Sequence, residues 1–151
     1  MAAVFDKLGI RFQFVFDKLG IRFQYPENWH LDESEALDGN QVATVYAPGG
    51  SFWSVMIHPA TASPSTLAAT ALKAMRQQYD DLDAEEVRET VAGQELVGYD
   101  MNFYCLDLTN TAIVRSYRTP SAAYVVFCQA DDRELAEVEA VFRAITTSLL
   151  R

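Results

Sequence analysis

Residues 15–29 read VFDKLGIRFQYPENW, and the fold of the whole chain follows from how this stretch is taken. Ile21, Phe23 and Tyr25 alternate with Arg22 and Gln24, the period of a strand with one wet face, and Pro26 then removes a ladder donor and ends it. Ahead of the strand, Asp17-Lys18-Leu19-Gly20 closes on a glycine, so Val15-Phe16 is expected to fold back on Ile21 as a short hairpin. The next extended piece begins at Trp29 to Leu31. The same ten residues, VFDKLGIRFQ, also stand at 4–13, an 11-residue period in which only the junction residues Phe14 and Tyr25 differ.

Downstream, two β-rich runs at 40–47 and 51–59 flank Pro48-Gly49-Gly50, a second hairpin turn. The period changes at 63–79, where Leu67, Ala71, Met75 and Tyr79 recur every four residues. Ser63 stands as N-cap and Pro64 at the first helical position. The acidic run Asp80, Asp81, Asp83, Glu85 and Glu86 opposes a helix C-terminus, so the helix should stop near Tyr79. Strands follow at about 84–92 and 95–107, turning at Gly93, and then at Ala112 to Arg118 and Ala122 to Gln129, the centre of the sheet. Leu135, Val138, Phe142, Ile145 and Leu149 mark an amphipathic closing helix that starts near Asp131-Asp132. The expected class is α+β, a twisted, mostly antiparallel sheet with two helices packed on it. Residues 1–14 are an N-terminal arm duplicating 15–25, and 15–151 are one domain.

The chain has 151 residues, 50% of them hydrophobic and 22% charged, the balance of a globular domain able to close its own core. Its formal net charge of -9 repels nucleic-acid phosphates and anionic lipid, and its 12 Lys and Arg form no clustered basic patch. The expected partners therefore exclude nucleic acid and membrane insertion. The start MAAVFDKLG lacks a basic segment followed by a long apolar core, which points to a cytoplasmic location. Cys105 and Cys128 carry no C-x-x-C spacing. In a meander placing Cys105 opposite about Ala112, and Ala112 opposite about Cys128, the sulfurs stand roughly 10 Å apart, beyond disulfide reach. Free, buried thiols are expected.

The run Phe23-Gln24-Tyr25-Pro26-Glu27-Asn28-Trp29, with this order of elements after it, resembles the PsbP-like family, which includes bacterial DcrB-type proteins. The resemblance spans roughly residues 15–150, and its sharp motif is F-x-Y-P-x-x-W. It implies a PsbP-like sandwich with Trp29 in the core. It also implies a non-enzymatic, protein-binding role, since family members and fold relatives assist photosystem II, bind the GTPase Ran or chaperone secreted effectors. The family offers no catalytic residues to carry over.

Neither histidine, His30 or His58, has a metal-ligand neighbour at usable spacing, the acidic run 80–86 lacks the alternation and glycine of a calcium loop, and Gly49-Gly50 precedes no helix. No cofactor, metal or catalytic residue is expected. The candidate interaction surface is Phe12, Phe14, Phe16, Phe52 and Trp53, with Tyr46 and Tyr104 as possible neighbours. Phe52 and Trp53 are adjacent strand residues, so one of them looks away from the core unless both faces are covered. The rival reading is a small-molecule or hydrolytic domain with a cleft near His58. Finally, only the second repeat copy leads into Pro26 and Trp29, so it should hold the native position. The first copy should then seek a sheet edge, giving a homo-oligomer through residues 4–14.

Overall fold

The computed structural model describes residues 12, 14–34 and 41–151. The stretch quoted first folds as a hairpin of β1 (Phe14–Lys18) and β2 (Ile21–Tyr25). Leu19 and Gly20 both adopt positive φ, 58° and 76°, the geometry that lets a two-residue turn follow the right-handed twist of its strands. The second repeat copy thus forms β1, the turn and most of β2. Residues 4–11 and 13 of the first copy lie outside the described residues, and so does the expected contact between chains through 4–14.

The remaining strands are β3 (His30–Asp32), β4 (Val42–Tyr46), β5 (Phe52–His58), β6 (Asp83–Val91), β7 (Gln94–Cys105), β8 (Leu108–Arg118) and β9 (Ala123–Asp131). They form one seven-stranded sheet in the order β3-β4-β5-β9-β8-β7-β6. Every neighbouring pair is antiparallel, and β9 lies at the centre, as the apolar run Tyr124-Val125-Val126-Phe127 suggests. The helices are α1 (Pro64–Gln78) and α2 (Asp132–Leu150). Ser63 caps α1, its hydroxyl accepting from Thr66 N at 3.4 Å. Asp131 caps α2, its carboxylate accepting from the backbone N–H groups of Arg133 at 2.9 Å and Glu134 at 3.2 Å.

The two-fold alternation of the strands sorts the core into two layers. On one face Val45, Trp53, Val55, Tyr117, Tyr124, Val126 and Cys128 lie under Val138, Val141, Phe142 and Ile145 of α2 and under Phe16, Ile21 and Phe23 of the hairpin. On the other, Met101, Phe103, Ala112, Val114 and Val125 lie under Leu67, Ala71, Leu72, Met75 and Tyr79 of α1. The α+β class and the two covering helices match the expectation. The short hairpin closing at Gly20 matches it too; it joins no edge of the main sheet and packs as a lid beside α2. Trp29 is buried and meets the Phe142 ring edge-on at 5.9 Å, the core position implied by the family motif.

Both cysteines are free, and they belong to clusters on opposite faces of the sheet. The expected meander register is corrected, however. Leu106 and Asp107 make the β7–β8 turn with φ of 53° and 64°, so Cys105 opposes Leu108. Ala112 in turn opposes Met101 and Gln129, while Ile113 stands against Cys128. No helix among the described residues is long and apolar enough to cross a membrane.

Candidate interaction surface

Helix α1 packs on β7, β8 and β9. Beyond its reach, the same sheet face continues over β4 and β5, strands outside the three on which α1 mainly packs. There the cross-strand pairs Thr44–Ser54 and Tyr46–Phe52 share the face, Ser54 buried and Phe52 half-buried, and the half-buried Phe127 of β9 extends the row. The Tyr46 and Phe52 ring centroids lie 5.8 Å apart, and those of Phe52 and Phe127 lie 6.1 Å apart at 19° between planes. These are the spacings at which aromatic pairs attract. Thr44 Oγ1 donates to Ser54 Oγ at 3.1 Å beside the row, holding β4 and β5 in register.

The β7–β8 turn borders this row. A cavity of about 170 Å³ is lined by Gly50, Phe52, Leu106, Leu108 and Gln129, which brings the turn alongside Phe52. Leu106 is 91% exposed while holding φ at 53°. A leucine in the left-handed region costs roughly 1–2 kcal/mol relative to the right-handed one, and here its side chain makes no compensating burial. Backbone strain of this kind clusters at functional sites.

Of the sequence candidates, only some reach this surface. Phe52 does. Trp53 is fully buried on the other face, with Nε1 donating to Thr146 Oγ1 at 2.9 Å and its ring 4.7 Å from Phe23. Phe16 is core as well, stacked on Phe23 at 4.9 Å. Neither Trp53 nor Phe16 is available to a partner, because each supplies the apolar mass that joins the hairpin to the sheet. Phe14 is 46% exposed and leans on Tyr25, and Phe12 is half-buried against the hairpin side of the core. Tyr104, 61% exposed, sits near the end of β7 just before the turn. Phe127, the third ring of the row, was hidden in an apolar run with no periodic sign of exposure.

A charged cluster that sequence reading missed lies on the α2 side of the sheet. Arg115 is buried, and its guanidinium donates to Glu89 Oε2 at 2.5 Å, Asp100 Oδ1 at 2.8 Å, and the carbonyls of Val114 and Tyr99 at 3.0 and 3.3 Å. Arg143 of α2 adds a 3.2 Å bond to the second Glu89 oxygen. Burial alone would raise the Glu89 pKa, but the Arg115 hydrogen bond and charge, with Arg143, outweigh it and hold the carboxyl below its ordinary value of 4.5. A depressed carboxyl adds stability above its unfolded pKa and loses it as pH falls through the folded value. Unfolding free energy should therefore drop as pH falls below the ordinary carboxyl value of 4.5, and Arg143→Gln should flatten that slope in urea titrations.

Cys128 borders the same cluster, in a cavity of about 130 Å³ under α2. Burial raises its thiol well above the ordinary value despite the nearby Arg115 charge, so it stays protonated and is a poor nucleophile. His58 lines a cleft with Leu19, Gln41, Ile57, Ser121 and Tyr124, and no carboxylate belongs to that lining. Among the described residues no histidine-carboxylate pair is assembled there. Among the described residues no three His, Cys, Asp or Glu side chains gather as metal ligands would.

No family model and no curated protein matches the sequence. Solved structures do match in shape. The Saccharomyces cerevisiae Ran-binding protein Mog1p superposes with a TM-score of 0.62 at 9% identity, over 92% of this chain and 93% of that one. PsbP (CyanoP) of the cyanobacterium Synechocystis gives 0.59 at 14% identity over 89% of each chain. A Pseudomonas aeruginosa protein of unknown function, PA94, gives 0.58 at 10% identity, over 90% of this chain and 94% of that one. The chain has the PsbP-like fold.

Proposed function

We propose that the chain is a non-enzymatic accessory domain that binds another protein through the open half of its sheet. The observation that carries this reading is the row Tyr46–Phe52–Phe127, which runs from the margin of the α1-covered core at Phe127 out to the exposed Tyr46 and is bordered by the strained, exposed Leu106. Flat aromatic surface of this kind supplies the anchors of protein interfaces, whereas small-molecule sites are concave. The Ran-binding protein Mog1p, which has the same fold, agrees with it by analogy. The partner should present apolar side chains among lysines and arginines, since the chain carries a net charge of -9 and Asp107, Asp131 and Asp132 stand at this end of the sheet.

A photocrosslinking residue at position 52 tests the reading. It should form an adduct with one basic protein, and the same residue at the edge-strand position Glu85 should not; equal labelling from both positions refutes it. Alanine at Tyr46 and Phe52 together should weaken that partner by about thirtyfold, the effect of a hot spot of roughly 2 kcal/mol.

The turn provides a second, opposed readout. Asn-Gly suits a turn with two positive φ values better than Leu106-Asp107 does. The double change Leu106→Asn and Asp107→Gly should therefore raise stability by about 1 kcal/mol in urea unfolding while lowering partner affinity. A gain in both would remove the turn from the contact.

The duplicated segment adds a proposal of its own. Residues 4–13 repeat a hairpin sequence that is complete within one copy, and we read 4–14 as adding to a second chain to form a homo-oligomer. Light-scattering mass with and without residues 4–14 decides this: an unchanged oligomeric state sinks it.

A further inference from the structure

A cavity of about 550 Å³ opens where the β1–β2 turn, the β8–β9 connection and the C-terminal end of α2 meet. That volume falls within the range of about 300–1,000 Å³ typical of small-molecule sites. Its floor is a cross-strand pair, Tyr117 of β8 and Tyr124 of β9, with rings stacked at 4.8 Å and 20°. Both rings are buried, yet among the described residues neither hydroxyl has a hydrogen-bond partner. Gln24 Oε1 is the one sealed side-chain polar atom without a partner among those residues, so the two phenol oxygens reach open space. Burial, and then Tyr124, raise the Tyr117 pKa, which keeps its O–H a donor at neutral pH.

The walls divide by chemistry. Ile21, Leu149 and Leu150 supply apolar surface, while Ser148 is already engaged, accepting from Gln24 N and donating to the Ile145 carbonyl. Among the described residues, the charged side chains of the lining are Arg22 and Arg151, in a chain where 21 acids outnumber 12 bases. Asp17 opposes Arg22 in the hairpin register, but the two form no ion pair. The last carbonyls of α2 lend this end partial negative charge, which Arg22 offsets.

We propose that this trough binds a small carboxylate with an apolar body. The carboxylate sits toward Arg22 and the tyrosine hydroxyls, and the hydrocarbon lies on Ile21, Leu149 and Leu150. This site is separate from the aromatic row, which lies on the other face of the sheet. The test uses decanoate and decanol as probes in an amide NMR titration of the full chain. Decanoate should give saturable shifts at Gly20 to Arg22, Thr119 and Leu149 to Arg151. Arg22→Gln should weaken decanoate about tenfold, the loss expected for a charged hydrogen bond, and leave decanol unchanged. Tyr117→Phe with Tyr124→Phe should weaken decanoate several-fold through the lost donors. Because Arg22 is an exposed strand residue, its variant retains the fold, and an unchanged amide spectrum elsewhere checks this. Decanol binding as tightly as decanoate, or decanoate shifts confined to other surfaces, overturns the proposal.

Discussion

Replacing Gly98 with alanine is expected to cost about 3 kcal/mol or more, lowering the melting temperature by about 10 °C. Gly98 lies in β7 opposite Arg115 of β8, and a β-carbon built there runs into the carbonyl of Val114, with Arg115 Cα next at 3.1 Å. The obstacle is backbone in the middle of a sheet, so no rotamer change relieves it. The same absence of a side chain leaves room for Arg115 to lie across β7 and reach Glu89 on β6. Alanine at 98 therefore disturbs a ladder and a buried cation together. A buried charge separated from its partners is among the costlier single changes. Urea unfolding measures the loss, and a change under about 1 kcal/mol would mean that the strands separate there without difficulty.

The second large effect separates two adjacent aromatics. Trp53→Ala should cost about 3–5 kcal/mol, the range for emptying a buried tryptophan site. It also leaves Thr146 without its indole partner and Phe23 without a neighbouring ring. Phe52→Ala, one residue earlier but on the partly open face, should cost about 1–2 kcal/mol in stability. Its main effect should be on partner binding. Thermal melts of both variants beside the crosslinking assay give the comparison, and equal stability losses would mean that the aromatic row is core rather than surface.

That pair shows what sequence carries and what it does not. Alternation along 52–58 demands that Phe52 and Trp53 point apart, and this is visible in the residues alone. Which face each takes depends on where α1 and α2 land, a property of long-range packing that no local pattern encodes. The meander register went astray for a local reason instead. Thr109-Asn110 offers ordinary turn chemistry, while the chain turns at Leu106-Asp107, where a leucine accepts a left-handed φ of 53°. Turn propensities do not select leucine for that position, so the misplaced register was the natural reading. The Arg115 cluster was invisible because Glu89, Asp100, Arg115 and Arg143 come from four different elements. By contrast, the Ser63 cap, the acidic start of α2 and the glycine-closed hairpins rest on neighbours in sequence and were readable, while the core position of Trp29 came from the family resemblance.

The first hairpin, complete between Phe14 and Tyr25, has a consequence for redundancy. Excising residues 4–14 leaves MAA joined to VFDKLGIRFQY, and excising 15–25 leaves MAA joined to VFDKLGIRFQF, each running on into Pro26. The two shortened chains differ at a single ring, tyrosine or phenylalanine, immediately before the proline. A lesion in either copy should thus be erased by losing that copy whole, since Phe16, Ile21 and Phe23, which pack in the core, have the same residue types at positions 5, 10 and 12 of the sequence.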